Sequence, residues 1–187
     1  MNIFDLKNLT VTAFSVYRCN IGRSDITIPP RDFHSLSFRI SGRTEIIAEG
    51  KSYISEQGAV TYVPKGLPYA HIVRQPSEVI ALHFNVSEEL ETGVCVVIPE
   101  NCYETERLFV SLAKSWEQNP VSGNIKCLSL IYGILTRLNI DKEPKVANKN
   151  HRIIEPAVEY IRKNYTDSGL SVSYLSDIAG VSEAYFR

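Results

Sequence analysis

The sequence lacks an excess of basic residues, which excludes a broad positive field of the kind that attracts a whole protein to nucleic acid. Its 187 residues include 20 lysines and arginines against 21 aspartates and glutamates, for a formal net charge of −1 at pH 7. A hydrophobic content of 44% and a charged content of 22% are typical of a globular protein. A small basic face on one domain is compatible with this balance.

Membrane and export signals are missing as well. No run of about eighteen apolar residues is available to span a membrane. The opening MNIFDLKNLT lacks the basic flank and apolar run of a signal peptide. The four cysteines, Cys19, Cys95, Cys102 and Cys127, form no CxxC pair, which favours reduced thiols over a zinc site or a disulfide framework. We therefore expect a cytoplasmic protein with no membrane partner.

The common enzyme motifs are absent too. The sequence contains no phosphate loop, no GxGxxG and no Ser-His-Asp or Cys-His pairing. We therefore predict that the chain is not an enzyme and binds no cofactor.

Residues 1–100 have the pattern of β structure, which is clearest between His34 and Gly42. Apolar and polar side chains alternate there, as expected of a strand with one buried face. One face carries His34, Leu36, Phe38 and Ile40, and the other carries Ser35, Ser37, Arg39 and Ser41.

Further short strands are predicted over residues 44–48, 51–54, 59–63, 71–73 and 78–86. Turn residues separate them at Gly42, Gly50, Gly58, Gly66 and Gln75-Pro76. Many short strands at this spacing indicate a sandwich or a small barrel.

The hydrophobic period changes to a helical one from about residue 103. Leu108, Leu112 and Trp116 form the stripe of a helix that ends near Pro120. A second stripe comprises Ile125, Leu128, Ile131, Tyr132, Leu135 and Leu138. The short join favours an antiparallel pair, of which one side can pack on the β domain and the other can form a homodimer through residues 103–139. The alternative is that the whole apolar surface is core within one chain.

Residues 141–150 are polar and charged, and they are predicted to form a linker. Helical spacing resumes at residue 151. Pro156 fits within about the first turn of a helix, so this helix is expected to begin close to Arg152.

The stretch from Leu170 to Arg187 carries two helix starts with a glycine between them. Ser171 and Ser182 are the predicted N-caps, each flanked by a pair of apolar residues in the positions of a hydrophobic staple. Gly180 can adopt the positive φ of a short turn. The pattern predicts either a helix-turn-helix that enters the major groove of DNA or an ordinary helical hairpin, and the spacing alone does not separate them.

Residues 153–187 resemble the start of the DNA-binding domain of AraC/XylS-type transcription regulators. Tyr160-Ile161 and Asn164-Tyr165 match the first helix of that family. The first helix-turn-helix is matched at Leu175, Gly180, Ser182 and Phe186. The family often has alanine after the leucine, and here Ser176 is small enough for the same close helix contact.

The β region resembles a cupin barrel. Gly58, Pro64, Gly66 and Tyr69 fit the second cupin motif, in which Tyr69 stands where a metal-binding histidine is usual. The first motif needs an HxH pair, and only His34 is near that strand. The resemblance implies a mainly β jelly-roll (cupin-like) sensor barrel over residues 1–100, a helical dimerisation pair over 101–140, the linker, and a partial three-helix helix-turn-helix segment over 151–187.

AraC-type regulators carry two helix-turn-helix units, and this chain ends about one turn into the first recognition helix. The resemblance therefore predicts a truncated regulator that keeps sensing and pairing, and we expect no measurable binding of the 187-residue chain to operator DNA. In the complete regulator the residues facing the groove would be Ser182, Glu183, Ala184 and Arg187. Each of them can instead be a solvated surface residue.

The expected effector site is the mouth of the barrel, where a few polar groups stand among apolar walls. The candidate ligand-binding residues are His34, Arg39, Tyr62, Tyr69, His71 and His83. The chain has 10 tyrosines, whose rings stack on sugars, so the predicted effector is a sugar or a similar polar metabolite.

Two other functions stay open. A metal-dependent cupin isomerase or oxygenase would need His34, His71 and His83 to converge, although their spacing matches no metal motif. A sugar-binding or assembly module without a DNA role would leave the pattern at Leu170–Arg187 unexplained.

Overall fold

The computed structural model describes Ile3 and residues 8–90, 92–121, 123–140, 149–164 and 169–186. The chain divides into two compact units, Met1–Lys142 and Glu143–Arg187. None of the helices in these described ranges is long and apolar enough to cross a membrane. The predicted linker lies largely outside the described residues, which resume at Lys149.

The first unit is mostly an antiparallel sheet. Its described strands are β1 (Val11–Ile21), β2 (Ser24–Ile28), β3 (His34–Ala48), β4 (Lys51–Ser55), β5 (Val60–Val63), β6 (Tyr69–Val86) and β7 (Cys95–Val97). The order across the sheet is β1-β6-β3-β5-β7, with β2 paired to β6 and β4 paired to β3. Every one of these pairings is antiparallel.

The two long strands β3 and β6 each serve both halves of the sheet. In one half Ala81 of β6 faces Tyr17 of β1 and Ser37 of β3. In the other half His71 of β6 faces Ile26 of β2 and Ile46 of β3. The β3–β6 register shifts repeatedly between Arg39 and Thr44, where the ladder changes from one half to the other.

The turns predicted at Gly42 and at Gln75-Pro76 are wrong, because each strand continues through its break. Gly42 lies inside β3 with a φ of +82°, a conformation that glycine adopts without strain. Pro76 lies in the part of β6 where the ladder shifts, and a proline is tolerated at such an irregularity because no donor is needed there.

One face of the sheet packs against a pair of helices, α1 (Cys102–Gln118) and α2 (Ile125–Ile140). The Phe38 ring of β3 stacks on the Phe109 ring of α1 with centroids 5.6 Å apart. The other fully buried large side chains of this layer are Leu36, Tyr62, Ile80, Leu82, Phe84, Leu112, Ile131, Ile134 and Leu138. Burial of each stabilises the fold by about 1.5–3 kcal/mol, so this layer is the main core of the unit.

The helix pair occupies the predicted ranges, and four of the six residues of the predicted α2 stripe, Leu128, Ile131, Leu135 and Leu138, belong to the core or pack against it. The side chains that it buries are Cys127, Ile131, Ile134 and Leu138. The other two residues of the predicted apolar stripe are exposed, Ile125 at 83% and Tyr132 at 37%. Tyr132 instead binds the sheet through its hydroxyl, which accepts a hydrogen bond of 3.0 Å from the Val11 amide. The apolar residues of α2 thus form two neighbouring stripes, and the predicted stripe contains residues from both.

The second unit consists of α3 (Lys149–Asn164), α4 (Val172–Ala179) and α5 (Glu183–Phe186). The Ser171 and Ser182 caps are confirmed, since their side chains accept hydrogen bonds from the amides of Tyr174 and Tyr185. Gly180 ends α4 in the left-handed conformation, as predicted.

The predicted start of α3 near Arg152 is wrong. The helix begins at Lys149, so Pro156 lies in its interior rather than in its first turn. A proline at this place removes a single backbone donor, the one that would bind the carbonyl of residue 152, and the rest of the helix continues past it.

Candidate functional site

The second face of the sheet encloses a cavity of about 550 Å³ within the first unit. Its apolar wall includes Ile21, Ile26, Ile28, Ile46, Val63 and Val79. Its polar and aromatic lining includes Tyr17, Arg31, Phe33, Ser35, Ser37, Arg39, Thr61, Tyr69, His71 and His83. A concave site of this size with a few polar groups among apolar walls suits a small molecule.

Strand alternation explains which residues line the cavity. On β3, Leu36 and Phe38 point towards the helices, so Ser35, Ser37 and Arg39 point to the opposite face. The register then sets His83 of β6 opposite Ser35, and Val79 opposite Arg39. The polar face of the predicted strand is therefore the wall of a cavity rather than a face open to bulk solvent, and both faces of this segment are covered.

Arg39 is the most deeply buried charged group of the cavity, at 4% exposure. Its Nε donates a hydrogen bond of 2.9 Å to Ser55 Oγ, which also accepts one from Thr61 Oγ1. Its NH1 has no hydrogen-bond partner among the described residues. Burial lowers the pKa of Arg39 to about 10, so the guanidinium stays charged at neutral pH.

Arg31 provides a second cation on the same wall. Its guanidinium carbon lies 5.1 Å from the centre of the Phe33 ring and 5.2 Å from that of the Tyr69 ring, both within the range of cation–π attraction. The guanidinium also donates a hydrogen bond to the Tyr69 hydroxyl. Burial raises the pKa of Tyr69, although the nearby Arg31 opposes the shift, so Tyr69 is neutral in the physiological range.

The two cavity histidines are held neutral. Burial, reinforced by Arg31, lowers the pKa of His83 to about 4. Burial, then Arg39 and Arg31, lower the pKa of His71. The His83 ring stacks on Phe33 at a centroid distance of 4.3 Å. The fixed charge of the cavity therefore comes from its two arginines.

The structure brings four of the six predicted ligand-binding residues together. Arg39, Tyr69, His71 and His83 all line the cavity. His34 and Tyr62 do not, because their positions on β3 and β5 point to the face that packs on the helices. Sequence reasoning had correctly put His34 on the apolar face of its strand.

His34 and Tyr62 form a buried pair of their own. The Lys65 amide donates to His34 Nδ1 at 3.2 Å, so this nitrogen is an acceptor and the Tyr62 hydroxyl, 2.8 Å away, donates to it as well. Burial raises the pKa of Tyr62 to about 12, against the effect of a hydrogen bond with Thr92. These hydrogen bonds satisfy the polar groups of both side chains away from the cavity.

Several cavity residues were missed by sequence reasoning. Arg31 and Phe33 lie between β2 and β3, and Tyr17 lies on β1, a strand that was not individually predicted. Ser35 and Ser37 share the face of Arg39, so the alternation already contained the signal for them. Arg31, next to Pro29-Pro30, gave no pattern that points to a site.

The three histidines that the metal-enzyme alternative would need do not converge. His34 lies on the helix-packed face, across the sheet from His71 and His83. Within the described ranges, no three His, Cys, Asp or Glu side chains are grouped closely enough to hold a metal ion.

The predicted DNA-contacting residues lie at the start of α5. Ser182 is its cap, and Glu183 and Ala184 are exposed. Arg187 lies outside the described residues. The preceding helices pack through Tyr160 and Tyr174, whose ring centroids are 5.4 Å apart, and Ser176 is 3% exposed, as its small size predicted.

Lowering the pH from 7 to 5 is expected to destabilise the protein through His83. Its pKa is about 4 when folded against an ordinary 6.5, so between these values the unfolded chain binds a proton that the folded chain does not. The stability that depends on neutral His83 is therefore fully present above pH 6.5, and it is lost as the pH falls towards 4. After a discount for partial exposure, we expect a loss of about 1 kcal/mol at pH 5.

Urea unfolding at the two pH values measures this loss. His83→Phe keeps the stack on Phe33 and should show a smaller loss than the wild type. Part of the loss should persist in the variant, because burial also lowers the pKa of His34 and His71. An identical pH dependence in the two proteins would contradict the assignment to His83.

The fold and cavity define the class of the chain: a mostly antiparallel β protein with an internal cavity, followed by helices. No protein-family model matches the sequence. No curated protein matches it either.

Similar solved structures include the AraC-like transcriptional activator CuxR, at 16% identity and a TM-score of 0.46, with 94% of this chain and 71% of that chain covered. A EutQ protein from Clostridium difficile is 14% identical with a TM-score of 0.37, over 41% of this chain and 60% of its own. A cupin-2 domain containing protein from Shewanella frigidimarina is 10% identical with a TM-score of 0.36, and the match covers 42% of this chain and 81% of that chain. The chain thus spans less than two thirds of the EutQ protein, and all three likenesses are too distant to assign a family.

Proposed function

We propose that this chain is the sensor and helix-turn-helix part of a ligand-responsive transcription regulator of AraC type, with a cupin-like jelly-roll as its sensor. The observation that carries the proposal is the segment α4–Gly180–α5, in which two serine caps and a left-handed glycine build a helix, a tight turn and a second helix. This segment follows a β unit with an internal cavity, in the order expected of such a regulator.

The sensor function is assigned to the cavity. A small polar metabolite would bind between the two halves of the sheet, and its binding energy would shift the balance between two arrangements of the DNA-binding domains. The protein has no catalytic role in this proposal. Four of the ligand-binding residues predicted from the sequence line this site: Arg39, Tyr69, His71 and His83.

The DNA-binding role is assigned to the start of α5. Ser182, Glu183 and Ala184 are exposed there, and the first residues of a recognition helix are those that reach base edges. Arg187, the basic residue that follows them in the sequence, would bind guanine or phosphate.

Selection from a random duplex library tests the regulator proposal. The protein expressed from the whole reading frame should enrich one sequence, and Glu183→Lys should change the enriched sequence or abolish enrichment. Glu89→Lys makes the same charge change at an exposed residue of the first unit and serves as the control. No enriched sequence from a folded protein would overturn the proposal.

Dimerisation through α1 and α2 is part of the proposal. A groove on this helix pair is lined by Ser111, Lys114, Ser115, Gln118, Ile125, Lys126, Ser129 and Leu130. Ile125, 83% exposed, and Val121, 56% exposed, add apolar surface at the same end of the pair. A second copy that covers these side chains would remove them from water.

Sedimentation at high micromolar concentration is expected to show a dimer, and Ile125→Asp should shift it to monomer. Ile54→Asp, at an apolar residue of β4 that is 39% exposed, is the matched control and should leave the dimer intact. A wild-type protein that sediments only as monomer would contradict the prediction.

The second candidate is a metal-dependent cupin enzyme, favoured by the presence of both His71 and His83 in the cavity lining. Only two of the required ligands are there, which is why it ranks second. Elemental analysis of purified protein separates the two functions, since stoichiometric iron, manganese, nickel or zinc would favour the enzyme.

A further inference from the structure

Arg39 is a buried cation without a counter-charge. Its side chain is 4% exposed, and its only described hydrogen bond joins Nε to Ser55 Oγ. NH1 has no partner among the described residues, and none of the salt bridges in the described ranges involves Arg39. Proteins pair a charge that they bury, because an unpaired one is strongly disfavoured. The missing partner of Arg39 is therefore expected to be a ligand.

The surroundings of Arg39 reinforce a demand for negative charge. Arg31 lines the same cavity, and the described lining contains neither Asp nor Glu. A guanidinium is a donor only, with no acceptor to offer. A ligand group that meets Arg39 must therefore accept hydrogen bonds, and an anion does so with the strongest, charge-assisted geometry.

The apolar residues of the lining indicate what kind of molecule carries the anionic group. Ile26, Ile28 and Ile46 line the cavity from the half of the sheet where β2 and β3 pair with the start of β6. Val63 lines it as well, and Val79 does so directly opposite Arg39 in the β3–β6 register. A free inorganic ion would leave this apolar surface uncovered. An organic anion with an apolar body would bury it, which adds binding energy in proportion to the area removed from water.

We propose that the cavity binds a small organic carboxylate, held by the guanidinium of Arg39, with its apolar body against the isoleucine wall. The proposal rests on the proposed function, of which it names the ligand class. Arg39 and Arg31 only donate, so they favour a group that only accepts over the sugar that the tyrosine count predicted, whose hydroxyls both donate and accept. A carboxylate instead matches the planar fork of an arginine with two parallel hydrogen bonds.

The first test compares acids with their uncharged amides on the wild-type protein. Hexanoate and cyclohexanecarboxylate at millimolar concentration should raise Tm by several degrees, because a ligand that binds only the folded state stabilises it. Hexanamide and cyclohexanecarboxamide should not. Acetate and inorganic phosphate at equal ionic strength should have little effect, because they cannot cover the apolar wall.

Three outcomes of this comparison overturn the proposal. Amides that stabilise as well as the acids would remove the role of the charge. Acetate or phosphate that stabilises as well as hexanoate would leave an inorganic anion site. No stabilisation by either organic acid would leave Arg39 without the ligand that is proposed for it.

The second test assigns the preference to Arg39. Arg39→Met keeps the length of the side chain and removes its charge, and it should weaken hexanoate binding by about tenfold or more in calorimetric titration. Arg18→Met is the matched control, since Arg18 is an exposed residue of β1 that pairs with Glu78 outside the cavity, and its affinity should equal that of the wild type. Arg39→Lys keeps the charge and loses the fork, so it should bind acids weakly and still prefer them to amides. Full affinity in a folded Arg39→Met protein overturns the proposal, and if that variant does not fold, full affinity in Arg39→Lys does so.

The failure of this inference is distinguishable from failure of the proposed function. An acid that binds through Arg39 without changing DNA binding by the protein expressed from the whole reading frame would overturn the regulator and leave the ligand class in place. If a polyol binds and changes DNA binding while the acids are inactive, the ligand class proposed here is overturned and the regulator proposal stands.

Discussion

Gly42→Ala is expected to lower the free energy of unfolding by about 3–5 kcal/mol, the sum of a strained backbone and a clash. Gly42 has a φ of +82°, which an alanine adopts only with strain. A Cβ there would also lie 2.2 Å from the Pro76 carbonyl oxygen, 2.5 Å from Ser77 Oγ and 2.7 Å from Ser77 Cα. Two of these atoms belong to the backbone of β6, and the third is held by a hydrogen bond to the Gln75 carbonyl, so none can move away freely.

Gly50→Ala separates the two contributions. Gly50 has a similar φ of +73°, but a Cβ there would meet nothing within 4 Å, so this variant should cost about 1 kcal/mol from the backbone alone. Gly22→Ala, with neither a positive φ nor a neighbour within 4 Å, should be close to neutral. Urea unfolding followed by circular dichroism measures all three. Equal costs at Gly42 and Gly50 would contradict the close approach of β3 and β6.

Phe38→Ala is the second large effect, with an expected loss of about 3–5 kcal/mol. Phe38 is 1% exposed and lies between the sheet and α1, where its ring stacks on Phe109 at 5.6 Å. Its strand neighbours Val60 and Ile80 are fully buried, so surrounding atoms cannot collapse readily into the space that the ring leaves. The loss therefore includes both the transfer of the ring to water and a cavity term.

Tyr103→Ala is the control for Phe38→Ala. It removes an aromatic ring from α1 that is 71% exposed, and it should change the free energy of unfolding by less than about 0.5 kcal/mol. Thermal and urea unfolding of both variants test the contrast. An unchanged midpoint for Phe38→Ala would mean that the helix pair does not pack on the sheet as described.

Much of the local structure was predictable because it depends on short-range chemistry. The alternation from His34 to Ile40 identified a strand, and the helical stripes identified α1 and α2 within a few residues. The serine caps and Gly180 were predicted in detail, since a cap needs only a side-chain oxygen and two nearby amides.

The faces of the sheet were harder, because alternation separates two faces without saying what covers each. Ser35, Ser37 and Arg39 have the polarity of a surface, and the structure puts them around a cavity. The cavity exists because β3 and β6 continue through Gly42 and Pro76 and change partners there. Glycine and proline usually mark chain reversals, so the local signal favoured two shorter strands at each place.

Tertiary packing decided the remaining differences. In α2, the core covers Ile131 and leaves Ile125 exposed, although both side chains are apolar. Arg31 reaches the cavity from a loop, where its guanidinium lies over the rings of Phe33 and Tyr69, and Tyr69 is far from it in sequence.

The alternation on β3 also bears on how such a protein can diverge. Ser35, Ser37 and Arg39 meet the cavity, whereas Leu36 and Phe38, between them in sequence, meet the helices. The residues that line the cavity are thus different from those that pack the core, although they share one strand. Substitutions at every second position of β3 can therefore change the cavity while the intervening positions keep the fold.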